Sequence, residues 1–133
     1  MGRTSTRTAA GIVLDTGALI ALERGDKRMI ALLHRALAQG RVFRVPAGVV
    51  GQAWRSARVQ VTLGRFLRSQ EVEIVPLDEH LARSCGELCA AAGASDVIDA
   101  SVVILARQRL DPIVTSDPND LRRLDPAAQI IML

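Results

Sequence analysis

Five aspartates stand where strands should give way to helices. They are Asp15 in Ile12-Val13-Leu14-Asp15-Thr16, Asp96 and Asp99 in Ser95-Asp96-Val97-Ile98-Asp99, and Asp117 and Asp120 in Thr115-Ser116-Asp117-Pro118-Asn119-Asp120. Two carboxylates about 4 Å apart repel by roughly 1 to 4 kcal/mol, according to how wet the site is, so a cluster of them asks for a cation. Hard carboxylate oxygens favour Mg²⁺ or Mn²⁺, and such ions activate water against phosphodiesters. Asp96 and Asp99 are spaced i, i+3 at a helix start, which aims both at one sector. Asp99 also faces the apolar run Val102-Val103-Ile104-Leu105, where an unpaired carboxylate is costly.

Each acid has a local use to set against that chemistry. Asp96 can complement the positive end of a helix dipole, worth roughly 0.3 to 1 kcal/mol. Asp117 can cap a helix that has Pro118 at its first position, with Asp120 completing the cap. Asp15 has the least obvious local use, since an acid after a buried strand gains nothing from the sheet.

The elements that must position these acids follow from hydrophobic period and punctuation. Short apolar strands are expected over residues 12–14, 42–45, 72–75, 113–115 and 129–132. Between them the pattern gives helices over residues 18–24, 26–39, 61–69, 78–92 and 119–124. Two more are expected: one opening at Pro46, with Val49, Val50, Ala53 and Ala57 on one face, and one capped by Ser95 and running to about Leu110. Gly40 and Gly93 close two of the helices. Strands alternating with helices argue an α/β fold, a mainly parallel sheet of four to five strands flanked by helices. In such a sheet, ligands bind beyond the carboxyl ends of the strands, where Asp15 and Asp117 fall.

The chain has 133 residues, enough for one domain burying roughly two thirds of its unfolded surface. Residues 1–11 read as a flexible tail and residues 12–133 as the domain. No uncharged run approaches the ~20 residues that span a bilayer, and the start lacks a signal-like apolar stretch, so a cytoplasmic protein without membrane contact is expected. Cys85 and Cys89 lie four apart on one helical face, read as reduced core residues, while His34 and His80 read as exposed. Residues 27–70 contain no acid but carry Lys27, Arg28, Arg35, Arg41, Arg44, Arg55, Arg58, Arg65 and Arg68. That asymmetry suits a nucleic acid or an acidic partner protein.

Taken together, three segments resemble the PIN-domain ribonucleases and, within them, the VapC-type toxins of toxin–antitoxin pairs. They are Val13-Leu14-Asp15-Thr16-Gly17-Ala18-Leu19-Ile20-Ala21-Leu22, Asp96-Val97-Ile98-Asp99-Ala100 and Val114-Thr115-Ser116-Asp117-Pro118-Asn119-Asp120-Leu121. The resemblance implies a Mg²⁺- or Mn²⁺-dependent endoribonuclease, a homodimer, and inhibition by a cognate antitoxin. By match to the motifs, Asp15, Asp96 and Asp117 hold the metal, with Asp99 a catalytic neighbour. Thr16, Thr115 and Ser116 are candidates to hydrogen-bond the metal ligands, and Arg55 and Arg58 are candidate RNA contacts, with Arg55 expected on the same helical side as Gln52. The departure is Gln52 itself, where family members commonly carry Glu; an amide positions water but cannot act as a base.

The rival reading is a catalytically weakened module that binds RNA or a partner, and Gln52 makes it credible. A phosphoacceptor domain fits poorly, since the only lysine is Lys27. A haloacid-dehalogenase-type phosphatase also fits poorly, since Asp15-Thr16-Gly17 lacks the second Asp two residues on. Trp54 and Phe66 read as core or dimer contacts. The helices after Gly25 and around Val61 present apolar faces for a twin subunit or an antitoxin helix.

Overall fold

The computed structural model describes residues 9–133. In chain order the elements are β1 (Gly11–Leu14), α1 (Thr16–Glu23), α2 (Lys27–Ala38), β2 (Val42–Pro46), α3 (Ala47–Ala53) and α4 (Val61–Leu67). They continue with β3 (Val72–Val75), α5 (Glu79–Ala92), α6 (Val97–Arg109), β4 (Ile113–Thr115), α7 (Pro118–Leu124) and β5 (Ile130–Met132). All five strands are parallel, in the order β3-β2-β1-β4-β5. The expected α/β class is therefore the observed one, with the sheet at the upper end of the expected strand number.

Burial explains the strand sequences. β1, β2 and β4 are buried throughout and read as nearly unbroken apolar runs, as strands covered on both faces do. The outer strands β3 and β5 are only partly buried. Helices α1, α2 and α4 pack as one group, α5, α6 and α7 as another, and α3 touches both. Cys85 and Cys89 are free, buried thiols of α5, and burial followed by the neighbouring Cys89 pushes the Cys85 thiol up, keeping it protonated. His34 and His80 are exposed. No single described helix is long and apolar enough to cross a membrane.

Local chemistry corrects several expected boundaries. The cap of α6 is Asp96, not Ser95: its Oδ1 accepts from the backbone N–H groups of Ile98 and Asp99 at 3.0 and 2.9 Å. A carboxylate reaches those donors and adds charge complementarity that a serine hydroxyl lacks. Helix α3 ends at Ala53, because Trp54 is already extended, so Ala57 lies in an exposed turn and not on the helix face. Of the expected tail, residues 1–8 lie outside the described residues, whereas Ala9, Ala10 and Gly11 are engaged: Gly11 belongs to β1, and Val42 N–H donates to Ala10 O at 3.1 Å.

The largest correction concerns Arg44. Read as part of a basic surface, it sits instead in mid-β2 with 1 % of its surface exposed. Its Nη1 donates to Asp111 Oδ2 at 2.6 Å, its Nε to Glu73 Oε1 at 3.1 Å and its Nη2 to Ala9 O at 2.8 Å. Asp111 also accepts from Gly11 N–H at 3.1 Å. The guanidinium crosses β1 at Gly11, where a Cβ would lie 2.1 Å from Nη1, so only glycine leaves room. A buried charge of this kind is tolerated because it is paired and hydrogen-bonded.

Removing Arg44 strands Asp111 in the interior. Arg44→Ala is expected to cost roughly 3–5 kcal/mol in urea unfolding, with a smaller loss for Arg44→Met combined with Asp111→Asn; equal losses would refute the pairing argument. At the other end of the scale, Leu110 closes α6 in the left-handed region (φ 56°, ψ 38°) while 87 % exposed. Leu110→Gly should raise stability by up to about 1 kcal/mol, because the strain of a side chain there outweighs the added freedom of the unfolded chain.

Candidate active site at the carboxyl edge of the sheet

Strand order creates the site. β1 is paired on one side with β2 and on the other with β4, so the chain reverses its direction of travel across the sheet at β1 and leaves a crevice beyond the ends of β1 and β4. Asp15 follows β1 and Asp117 lies two residues beyond β4. Asp15 N–H donates to Val114 O at 3.3 Å, which ties the two strand ends together.

One hydroxyl sits between them. Thr115, fully buried, hydrogen-bonds the Asp15 carboxylate and accepts from Asp117 N–H at 3.0 Å. Asp15 also caps α1, its Oδ1 accepting from Ala18 N–H at 2.9 Å, so it does have the local use that sequence did not reveal. Burial pushes the Asp15 carboxyl above its ordinary value, and Asp117 pushes in the same direction. The bonds from Thr115, Ala18 and Gly17 oppose the shift. Gly17 has no side chain where a Cβ would lie 2.7 Å from Ser116 Oγ, so α1 can start close beneath the exposed Ser116.

Asp99 is the electrostatic centre of the group. Burial is the first cause that pushes its carboxyl up to about 6, followed by the charges of Asp96, Asp120, Asp15 and Asp117. One oxygen of the Asp96 carboxylate, Oδ1, accepts from two backbone N–H groups of its own helix. Asp117 stands at the cap position of α7 but makes no side-chain cap bond, so the capping alternative for Asp117 and Asp120 is not what their carboxylates do. A cleft of about 340 Å³ runs between the starts of α6 and α7, lined by Asp96, Asp99 and Asp120 with Arg123 on its wall.

The acids are brought to one edge, but in the described residues no three Asp, Glu, His or Cys side chains are close enough together to hold an ion. The gathering is thus one of backbone placement and mutual repulsion, with the carboxylates not drawn into ligand geometry. Their hard oxygens, and a neighbour-raised Asp99, fit a divalent cation chemically.

The remaining candidates divide. Gln52, exposed on α3, accepts through Oε1 from the Thr16 hydroxyl, so these two meet beside Asp15. Arg55 lies beyond the end of α3, not on the helical side of Gln52, and its Nη1 donates to Gly51 O and Trp54 O at 3.1 and 2.7 Å. Arg58 is exposed in the following turn. Trp54 packs against the core under Gly64, and Phe66 meets Phe43 edge-on at 5.5 Å, as core residues. Sequence reasoning undervalued Asp120 and gave Asp99 a secondary place. The signal for Asp99 was available, in that it alone of the pair faces the apolar interior of its helix.

A family model of the PIN domain matches residues 12–126. The chain belongs to the PIN domain family. Solved structures with this fold include VapBC2 from Rickettsia felis bound to a DNA fragment from its promoter, with a TM-score of 0.68 and 17 % identity over 92 % of this chain and 98 % of that one. A toxin–antitoxin complex from Klebsiella pneumoniae aligns with a TM-score of 0.68 and 15 % identity over 91 % and 96 %. Mycobacterium tuberculosis VapC20, described as a sarcin–ricin loop cleaving toxin, gives 0.64 and 18 % over 81 % and 91 %. At these identities the likeness is one of fold. No curated protein matches the chain in sequence. The PIN match spans the crevice, from the start of β1's apolar run through α7.

The raised Asp99 has a consequence for stability. Its folded value of about 6 exceeds the ordinary 3.8, so the folded protein holds a proton that the unfolded chain releases, and stability falls as pH rises through about 4 to 6. Asp99→Asn should therefore stabilise the metal-free protein at pH 7, by about 1 kcal/mol once solvent screening is allowed for, and flatten the melting temperature between pH 4 and 7. An unchanged pH profile in the variant would refute Asp99 as the centre of repulsion.

Proposed function

We propose that this PIN domain is a Mg²⁺- or Mn²⁺-dependent endoribonuclease acting as the toxin of a toxin–antitoxin pair. The observation that carries the reading is the convergence of Asp15 and Asp117, at the ends of the paired strands β1 and β4, with half-buried Asp99, whose carboxyl is pushed up by burial and then by four other aspartates. A protein keeps such a group at a cost to stability, and perturbed carboxyls gathered in a crevice mark functional sites. The description of VapC20 as cleaving the sarcin–ricin loop, and the antitoxin complexes among the structures of like fold, support the substrate class and the partner.

Asp15, Asp99 and Asp117 are the residues we assign to metal binding. Asp99 is preferred to the motif-expected Asp96 because its carboxyl interacts with those of both Asp15 and Asp117, whereas one oxygen of Asp96 is bound to the start of α6. Bound there, the ion would supply an activated water and offset charge developing on phosphate oxygens. Thr115 orients Asp15 and holds the backbone of Asp117, so it positions both carboxylates. Thr16 and Gln52 form a neutral pair on the opposite lip, where Gln52 cannot take a proton. Asp96 and Asp120 extend the acidic field into the cleft. To the exposed Arg55 and Arg58, in the segment after α3, we assign contacts with RNA phosphates.

The antitoxin has an apolar seat available. A groove of about 310 Å³ between α1, α2 and α4 is lined by Leu22, Leu33, Leu37, Phe43 and Phe66, with Arg65 at its edge. This is the apolar face that the sequence offered to a twin subunit or a partner helix. We assign it to the antitoxin. A reducing, cytoplasmic setting agrees with the two free thiols of α5.

The second reading, a PIN module that binds without cutting, rests on Gln52 alone. A panel of structured and single-stranded RNAs incubated with Mn²⁺ or Mg²⁺ decides between them. Cleavage is expected with either metal, reduced at least roughly a hundredfold by Asp99→Asn or Asp15→Asn. Cleavage by wild type that survives both substitutions would refute the assigned site. No cleavage of any RNA, with a silent Mn²⁺ titration in the calorimeter, would favour the binding module.

A further inference from the structure

Beside the acidic crevice lies a second recess, of about 430 Å³, between α1 and the segment that follows α3. Gln52 links the two, since it lines the recess and also accepts from the Thr16 hydroxyl next to Asp15. The floor is fixed by Gln60, a polar side chain only 5 % exposed. Its Nε2 donates to Glu23 Oε2 at 3.1 Å and to Ala53 O at 2.9 Å, while its Oε1 accepts from the N–H groups of both Arg55 and Ser56. Every polar atom of Gln60 is therefore committed, and it holds the Glu23 carboxylate at the recess wall. Glu23 Oε1 has no hydrogen-bond partner among the described residues.

The rest of the lining tells what fits. Ile20, Ala53 and Val59 provide apolar walls, and Arg24 and Arg55 stand exposed at the rim. A cationic side chain from a partner protein would suit the carboxylate but be repelled by the two arginines on the way in. A nucleotide satisfies all three demands at once: its phosphates meet the arginines, its flat base meets the apolar walls, and a donor edge meets Glu23.

Resting on the ribonuclease reading above, we infer that this recess binds a base of the RNA next to the cleavage point and selects guanine. Guanine carries N1–H and the N2 amino group side by side on its Watson–Crick edge, two donors for one carboxylate in a charge-assisted, bidentate pair. Adenine and uracil each present an acceptor there, which faces Glu23 unfavourably. Cytosine has one donor group beside an acceptor.

The test is metal-free binding, so that its outcome does not depend on cleavage. Fluorescently labelled heptamers of uridine with a single central guanosine, inosine, adenosine or cytidine are titrated with the full-length protein in EDTA, followed by anisotropy. Guanosine is expected to bind roughly five- to a hundredfold more tightly than adenosine, with inosine, which lacks the N2 amino group, in between. Glu23→Gln, close in shape, should bring all four within about twofold, while Arg24→Ala should weaken all four alike and leave their order unchanged. Equal binding of the four by wild type, no binding at all, or a guanosine preference that survives Glu23→Gln would each overturn the inference. So would an arginine-rich peptide that binds in a Glu23-dependent way while no base is preferred. RNA cleavage without base preference in binding would leave the ribonuclease reading standing and remove only the guanine site. A binding preference in the absence of cleavage would support the guanine site and count against catalysis.

Discussion

Like charges at the strand ends are held together here by backbone hydrogen bonds, against their own repulsion. The parallel pairing of β1 with β4 closes the distance between Asp15 and Asp117 before any side chain is considered. Thr115 then uses both halves of its hydroxyl, one toward the Asp15 carboxylate and the other toward Asp117 N–H. Helix α6 adds Asp99 from the flank. Burial first, and then the neighbouring aspartates, push its carboxyl up, and the surrounding apolar core, with Val13, Leu14, Ala100, Val102 and Val114 almost wholly buried, supplies the stability that makes the arrangement tolerable.

Much of this was legible in the sequence because the signals were local. Short apolar or alternating runs, several of them ending at an Asp or Pro, marked all five strands, and alternation with helices marked the parallel sheet. The strand-end aspartates were visible for the same reason. What sequence could not rank was the acids among themselves, since the choice between Asp96 and Asp99 turns on which oxygen the helix start consumes. The end of α3 was also hidden. Nothing in Ala53-Trp54-Arg55 breaks a helix by itself; the break is imposed from six residues downstream, where Gln60 collects the N–H groups of Arg55 and Ser56.

Arg44 was misjudged for a related reason. Arginines in an acid-free stretch look like a surface, and the partners that bury this one, Glu73 and Asp111, lie 29 and 67 residues away. Long-range charge pairing leaves no periodic trace. The one nearby clue was its place inside an otherwise apolar strand, Val42-Phe43-Arg44-Val45, where a solvated side chain has no room. Its removal from the surface count concentrates the remaining exposed cations on the helices and on the turn after α3.

The clasp of Arg44, Asp111 and Gly11 also pins Ala9 by its carbonyl at the amino edge of the sheet. The aspartates occupy the carboxyl edge, so the two ends of β1 have separate duties, anchorage at one and chemistry at the other. Ala9 therefore sits at the rim of the sheet opposite the acidic crevice.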